Sequence, residues 1–326
     1  MAKKDKNDIV ILKERIGLGE SRRIDFGIAK LYTATPVEIP VIIERSIHPG
    51  PTILITAALH GDEINGVEIV RQLLSRKLNK PKRGTIICIP ILNVFGFLQS
   101  NRYFPDGRDL NRVFPGTKSG SLASRVAYYF SKEILPHADL CMDFHTGSAS
   151  RFNAPQIRIR PGDDNLLKYA RIFNAPFTVY SKMIDKSYRK TADNKGIPYL
   201  LFEGGKSLES NKNIAKEGVD GIIRILGHLD MLSQKKIPVA THGQTVIINK
   251  AKWVRAHRSG LLHVKVECNT LVNKGDLLAT ITDPYGKMRI RVSAPNDGYI
   301  INVNQSPIVN QGDAIFHLST SLVSKT

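Results

Sequence analysis

Two histidines and two glutamates carry most of the chemical information in this chain. His60 and Glu63 stand three apart in Leu59-His60-Gly61-Asp62-Glu63, and His145 opens His145-Thr146-Gly147 much further on. A histidine, a carboxylate three residues later and a distant second histidine supply the His₂Glu set of a catalytic zinc. Three protein ligands leave a fourth position for water, whose pKa the metal would lower to about 7. The spacing alone is weak evidence, because a chain with nine histidines produces it by chance. Read singly, His60 and His145 are ordinary hydrogen-bonded histidines at strand ends. Between them, residues 101–112 place three arginines (Arg102, Arg108 and Arg112) in a loop containing Gly and Pro. That loop is either a solvated surface segment or a guanidinium clamp, since Arg presents a planar fork matched to carboxylates. Glu203, in Phe202-Glu203-Gly204-Gly205, ends an apolar run. It is either a strand-end charge or, beside a metal-bound water, a general base.

Such residues must be held by rigid elements. Apolar runs at 41–43, 52–57, 85–89, 140–144 and 197–202 read as buried strands. Segments 62–78, 122–135, 165–173 and 187–195 carry helical spacing, and a last helical segment covers 213–232. The alternation predicts an α/β fold with a mixed, mostly parallel sheet flanked by helices. His60 and His145 then follow the carboxyl ends of two strands, where ligand sites of open α/β sheets lie. Residues 234–238 read as a linker, after which short strands are separated by Gly, Asn, Asp and Pro. Here Val272-Asn273-Lys274-Gly275-Asp276 is echoed by Val309-Asn310-Gln311-Gly312-Asp313. The repeat predicts two interlocked β halves with matching Gly-Asp turns. The expected division is therefore 1–233 and an all-β segment, 234–326.

A chain of 326 residues suits two domains, and 42% hydrophobic with 23% charged residues excludes disorder as the dominant state. Lys and Arg number 47 against 29 Asp and Glu, a formal net charge of +18. That balance favours anionic partners without choosing among them. No helix-turn-helix, RNP-type aromatic pair or zinc-finger spacing is present, and one Trp with 7% aromatics leaves little capacity for base stacking. Nucleic acid is therefore not expected as a partner, although a basic binding module without catalysis stands as the rival reading. The uncharged run 84–101 is long enough to raise the question of a membrane span. Pro90, Asn93, Gly96 and Gln99 interrupt it. Residues 1–7 lack the apolar stretch of a signal peptide. Cys88, Cys141 and Cys268 lie far apart among apolar neighbours and read as reduced core thiols. The expectation is a cytoplasmic protein with no membrane partner. A homo-oligomer is allowed by the sequence but not called for.

Taken in order, His60-Gly61-Asp62-Glu63, Asp109-Leu110-Asn111-Arg112, Asp143-Phe144-His145-Thr146-Gly147 and Glu203-Gly204-Gly205 resemble the succinylglutamate desuccinylase/aspartoacylase family, within the zinc carboxypeptidase superfamily. The likeness runs from about residue 24 to residue 232. It implies that His60, Glu63 and His145 bind one Zn²⁺ per chain, and that Glu203 activates the bound water and passes its proton to the leaving amine. By the same resemblance Arg102 polarises the scissile carbonyl, Asn111 and Arg112 hold a substrate carboxylate, and Asp109 orients His60. Asp62 and Asp143 are equally close in sequence to a ligand, and Arg108 receives no role. Trp253-Val254-Arg255-Ala256 and Asp283-Pro284-Tyr285-Gly286 are similar to landmarks of a β-rich appendage in longer members, of the barrel-sandwich type found in biotinyl and lipoyl domains. Lys287 lies at the right distance from Ala294-Pro295 for a modified lysine, but Gly286 precedes it and the acidic lead-in is missing, so it reads as an unmodified hairpin lysine.

The resemblance implies zinc-dependent hydrolysis of the amide in a small anionic N-acyl amino acid or related compound. A carboxypeptidase-like reaction on short or modified peptides stays open, because the whole Asn111-Arg112 pair is present. Residues 148–190 read as the loop that defines the pocket, with Arg151, Arg158, Arg160, Arg189 and Lys190. If part of it is a strand, Arg158 and Arg160 share a face and either read a second acidic group or form a solvated basic surface.

Overall fold

In the computed structural model, which describes residues 8–240 and 242–323, a single long sheet carries the site. The N-terminal segment 1–7 read for a leader lies outside the described residues. The first half runs β1 (Ile9–Ile11), β2 (Glu14–Ile16), β3 (Ser21–Lys30), β4 (Pro36–Arg45), β5 (Thr52–Ala57), α1 (Ile64–Ser75), β6 (Thr85–Ile89), α2 (Val94–Leu98) and α3 (Leu122–Tyr129). It continues through β7 (Leu140–Gly147), β8 (Arg151–Ile159), α4 (Asp164–Phe173), β9 (Phe177–Tyr180), α5 (Tyr188–Asn194), β10 (Tyr199–Lys206) and α6 (Lys212–His228). The C-terminal strands are β11 (Val246–Arg255), β12 (Gly260–Val264), β13 (Leu271–Val272), β14 (Leu277–Thr282), β15 (Arg289–Ser293), β16 (Gly298–Asn304), β17 (Ile308–Val309) and β18 (Ala314–Leu322).

The sheet is mixed. Its middle strands β6, β5, β7 and β10 are parallel, whereas β3, β4 and β8 join by antiparallel pairings. β5 and β6 are buried along their whole length, as strands covered on both faces must be. Side chains alternate between the two layers: Ile53, Ile55 and Ala57 join one apolar cluster with α1, α4 and α6, while Leu54 joins another with α3 and α5. The helix expected over 122–135 is α3 followed by a π-helical turn (Phe130–Ile134) and a 3₁₀ turn (Leu135–His137). None of the helices among the described residues is long and apolar enough to cross a membrane; the uncharged run 84–101 instead contains β6 and α2. The three cysteines are unbridged, and burial pushes the Cys141 and Cys268 thiols up to about 12.

The sheet does not stop where the sequence changes character. β11 pairs in parallel with β9, β18 and β16 follow, and β16 then pairs with β8. The circuit β8-β9-β11-β18-β16 thus closes on itself, a small barrel whose strands come from both halves of the chain. Closure leaves these strands no open edge along the circuit. Ala154, Phe177, Val179, Ile248 and Ile301 form its apolar cluster. β15, β14, β12 and β17 form a second sheet, which shares a further cluster with β16 and β18 (Leu262, Leu278, Ile281, Ile300, Phe316). The repeat makes two like turns: Asn273 N donates to Asp276 Oδ2 at 2.8 Å, and Asn310 N to Asp313 Oδ2 at 2.7 Å. Each repeat's short strand pairs with the other half, β13 with β16 and β17 with β12. Lys287 lies in the β14–β15 turn, its backbone N–H donating to Asp283 Oδ1 at 2.8 Å.

Candidate metal centre

His60 and Glu63 occupy the turn between β5 and α1, and His145 lies on β7, the neighbour of β5. Gly61 lets this turn lie flat on α2: a Cβ there would sit 2.0 Å from the Gly96 carbonyl carbon. Glu63 stands at the N-cap of α1 without capping it. Its carboxylate is committed to the histidines, with Oε1 2.8 Å from His60 Nδ1 and Oε2 2.8 Å from His145 Nδ1. The two Nδ1 atoms are 3.2 Å apart. All three side chains are buried, and one ligand atom from each lies within 4.8 Å of the others.

Both outward nitrogens are backed by carboxylates. His60 Nε2 is 3.2 Å from Asp109 Oδ1, and His145 Nε2 is 2.7 Å from Asp143 Oδ2. Such partners fix the tautomer and raise the basicity of a ligating imidazole. Of the three aspartates left open by sequence, Asp109 backs His60 and Asp143 backs His145. Asp62 Oδ1 is buried without a partner among the described residues. Asp143, fully buried, also accepts from Thr56 Oγ1 at 2.6 Å and from the Tyr199 hydroxyl.

The electrostatics of the cluster call for a cation. Burial alone would keep His145 neutral, yet Asp143 and Glu63 hold its pKa well above the ordinary imidazole range, and Glu63 with Asp109 does the same for His60 to a smaller degree. Burial works to raise Glu63, but the two imidazoles hold its carboxyl far below the usual range. Three carboxylates, Glu63, Asp109 and Asp143, thus surround the two imidazoles, and that surplus of negative charge favours positive charge where the Nδ1 atoms converge. The donor set, two imidazole nitrogens and one carboxylate with backed second nitrogens, fits a zinc ion.

Around this cluster is a cavity of about 230 Å³ into which the other expected residues converge: Arg102, Asn111, Arg112 and Glu203 all line it. A groove of about 780 Å³ beside α4 and β11 is larger, but the described residues lining it include no such cluster. Arg102 donates to Asp109 Oδ2 through Nη2 at 2.9 Å and to Ser148 Oγ through Nη1 at 3.1 Å, with Glu63 Oε1 at 3.4 Å. Asn111 Oδ1 accepts the Tyr188 backbone N–H at 2.9 Å, which pins the start of α5 and fixes which end of its amide is the donor. Arg112 is exposed at the rim, with Nη1 donating to the Asn111 carbonyl at 2.8 Å. Glu203 lies opposite His145 in the β10–β7 ladder. Its Oε2 accepts from Asn153 Nδ2 at 2.8 Å, and its Oε1 is 3.7 Å from Arg158 Nη1. Arg108 pairs with Asp106 on the surface.

Residues 148–190 are not the loop expected but contain β8, α4 and β9. Arg158 and Arg160 do not share a face either. β8 ends at Ile159, so Arg160 lies past the strand, where it pairs with Asp163 and Asp193 in solvent. Arg158 instead faces the cavity with Arg189, which donates to Ser181 Oγ at 2.8 Å and is only 7% exposed. Burial, reinforced by Arg158, lowers the Arg189 pKa to about 10. Asn153 and Ser148 were not singled out from sequence; a lone Asn or Ser in a strand or turn carries no spacing signal.

Comparison with known proteins finds relatives over most of the chain. The model of the succinylglutamate desuccinylase/aspartoacylase catalytic domain matches residues 49–229. The N-alpha-acetyl-L-2,4-diaminobutyric acid deacetylase of Halomonas elongata is 27% identical over 293 residues, 86% of this chain and 84% of that protein. The product-bound ectoine utilization protein EutE (DoeB) of Ruegeria pomeroyi superposes with a TM-score of 0.80 at 25% identity, covering 93% of this chain and 95% of that one. A succinylglutamate desuccinylase/aspartoacylase from Rhodobacter sphaeroides gives the same TM-score at 24% identity, over 92% and 95% of the two chains. With more than half its length matched by the family's catalytic model, the chain belongs to the succinylglutamate desuccinylase/aspartoacylase family.

Proposed function

We propose that this protein is a zinc-dependent amidohydrolase that deacylates an N-acylated amino acid or a related small anionic amide. The observation that carries the reading is the convergence of His60, Glu63 and His145 on one point beside Glu203, within a single cavity. His60, Glu63 and His145 would hold one zinc ion per chain, which when bound supplies Lewis acidity and lowers the pKa of water. Glu203 takes a proton from the attacking water and returns it to the leaving nitrogen. Arg102 aims its guanidinium at the carbonyl oxygen, whose negative charge grows as the tetrahedral species forms. Asn111, with its amide already oriented, and Arg112 at the rim grip the substrate carboxylate.

A cavity of about 230 Å³ lies below the usual range for drug-sized ligands, which favours a small substrate over an extended peptide. Arg102, Arg112, Arg158 and Arg189 give it a cationic wall that suits an anionic one. The similarity to a diaminobutyrate deacetylase points to the same class of reaction. Residues 1–233 are assigned to the catalytic domain and 234–326 to a barrel-sandwich appendage; the apolar cluster drawn only from residues 256–318 supports that division. A panel of N-acylated amino acids, with ninhydrin detection of the released amine and zinc counted per chain, tests the whole reading. Release that stops on chelation and returns with zinc is expected, whereas hydrolysis indifferent to chelators would refute it.

A further inference from the structure

We propose that Asn302, contributed by the C-terminal strands, is a positioning residue for Glu203 and acts through Asn153. This deepens the hydrolase reading above and rests on Glu203 as its proton carrier. In the seam between β8 and β16, Asn153 and Asn302 are register partners. Their chain neighbours Ala154 and Ile301 belong to the barrel's apolar cluster, so the two asparagines project from the opposite face. There Asn302 Nδ2 donates to Asn153 Oδ1 at 2.7 Å, and Asn153 Nδ2 donates to Glu203 Oε2 at 2.8 Å.

This row of bonds has one polarity. An ionised carboxylate only accepts, so Asn153 must turn its NH₂ to Glu203 and its oxygen to Asn302, and Asn302 must then present its own NH₂. Each asparagine is 3% exposed, where water cannot substitute for a lost partner. Asn302 holds this orientation although its own Oδ1 is buried without a partner among the described residues. An unpaired buried acceptor is unfavourable, and an apolar side chain would avoid it. A polar residue retained against local stability marks a functional demand. The demand is on the carboxylate: with Oε2 tied to Asn153, its rotation stops, and Oε1 becomes the oxygen that takes and returns the proton. The catalytic base is therefore set only when β16 is paired to β8.

Steady-state kinetics of the full chain decide the matter, using wild type, Asn302→Leu, Asn153→Ala and the double variant, with zinc counted in each. Asn302→Leu should lower kcat by about 10-fold at unchanged KM and zinc content, the scale of one hydrogen bond to a charged group. The double variant should be no slower than Asn153→Ala alone, because Asn302 acts only through Asn153. Losses that multiply, or an undiminished kcat, would overturn the proposal. A crystal structure of Asn302→Leu reads the same question without turnover, so it stands even if no amide proves to be a substrate. Loss of the Asn153–Glu203 contact is expected there, and its retention would refute the role. Asn302→Ser, smaller than the native side chain, supplies the same readouts should the leucine variant fail to fold.

Discussion

At the scale of single residues, the proposed mechanism asks the centre to separate groups that hold charge from the group that would move a proton. Glu63 is locked between two imidazoles and Asp143 receives three donors, so neither is free to shuttle a proton. Glu203 is held by a neutral amide at Oε2, and the guanidinium nearest its Oε1, that of Arg158, stands 3.7 Å away. Glu203→Gln should therefore drop kcat by about 10²–10⁴ while zinc stays bound, since only proton transfer is removed. Near wild-type turnover in that variant would reassign the base. Asp143→Asn should instead weaken zinc by about 10–100-fold, read by competition with a chromophoric chelator, because His145 loses the carboxylate behind its Nε2. His60, Glu63, His145 and Glu203 were legible because their types and order are unusual together. Asn153 and Asn302 were not: each is one asparagine in a strand, and only the pairing of β8 with β16 brings them together.

At the scale of elements, legibility followed how far one environment ruled a segment. β5 and β6 are apolar throughout because both faces are covered, and they were read at their true bounds. β8, Arg-Phe-Asn-Ala-Pro-Gln-Ile-Arg-Ile, was not recognised as a strand. Its alternation is broken by Pro155, by the buried Gln156, and by Asn153 and Arg158, which serve the barrel seam and the cavity rather than an apolar core. The β11–β18 pair holds a further group that sequence could not grade. His317 stacks on Trp253 with ring centroids 4.5 Å apart, and burial, with Arg158 adding to it, lowers its pKa to about 4. The unfolded chain thus binds more protons than the native one between about pH 6.5 and 4. The contribution is whole above pH 6.5 and is lost as pH falls through 4. Urea midpoints of wild type should fall over this window relative to His317→Phe, which keeps the stack but cannot titrate. The difference should reach about 1–3 kcal/mol, allowing for solvent screening of a half-buried ring. Parallel pH profiles for the two proteins would place the acid sensitivity elsewhere.

At the scale of the whole molecule, the two halves share a sheet rather than merely touching. An appendage joined by a linker could be removed with little consequence, whereas a strand taken from a closed circuit opens two edges at once. Removing residues 234–326 would strip β11 from β9 and β16 from β8, and uncover Ala154, Phe177 and Val179 beside unpaired backbone. It would also take away the Asn302 donor behind Asn153. The truncated chain, 1–233, should therefore aggregate on expression and, where soluble, elute as higher oligomers by size exclusion, since an apolar edge strand is a template for further pairing. Added zinc should not rescue it, because the lost contacts lie on the far side of β8 from His60, Glu63 and His145. A soluble monomeric 1–233 with wild-type kcat would mean that the catalytic sheet is complete without the barrel. In that case the shared strands would have to serve something other than the site they border.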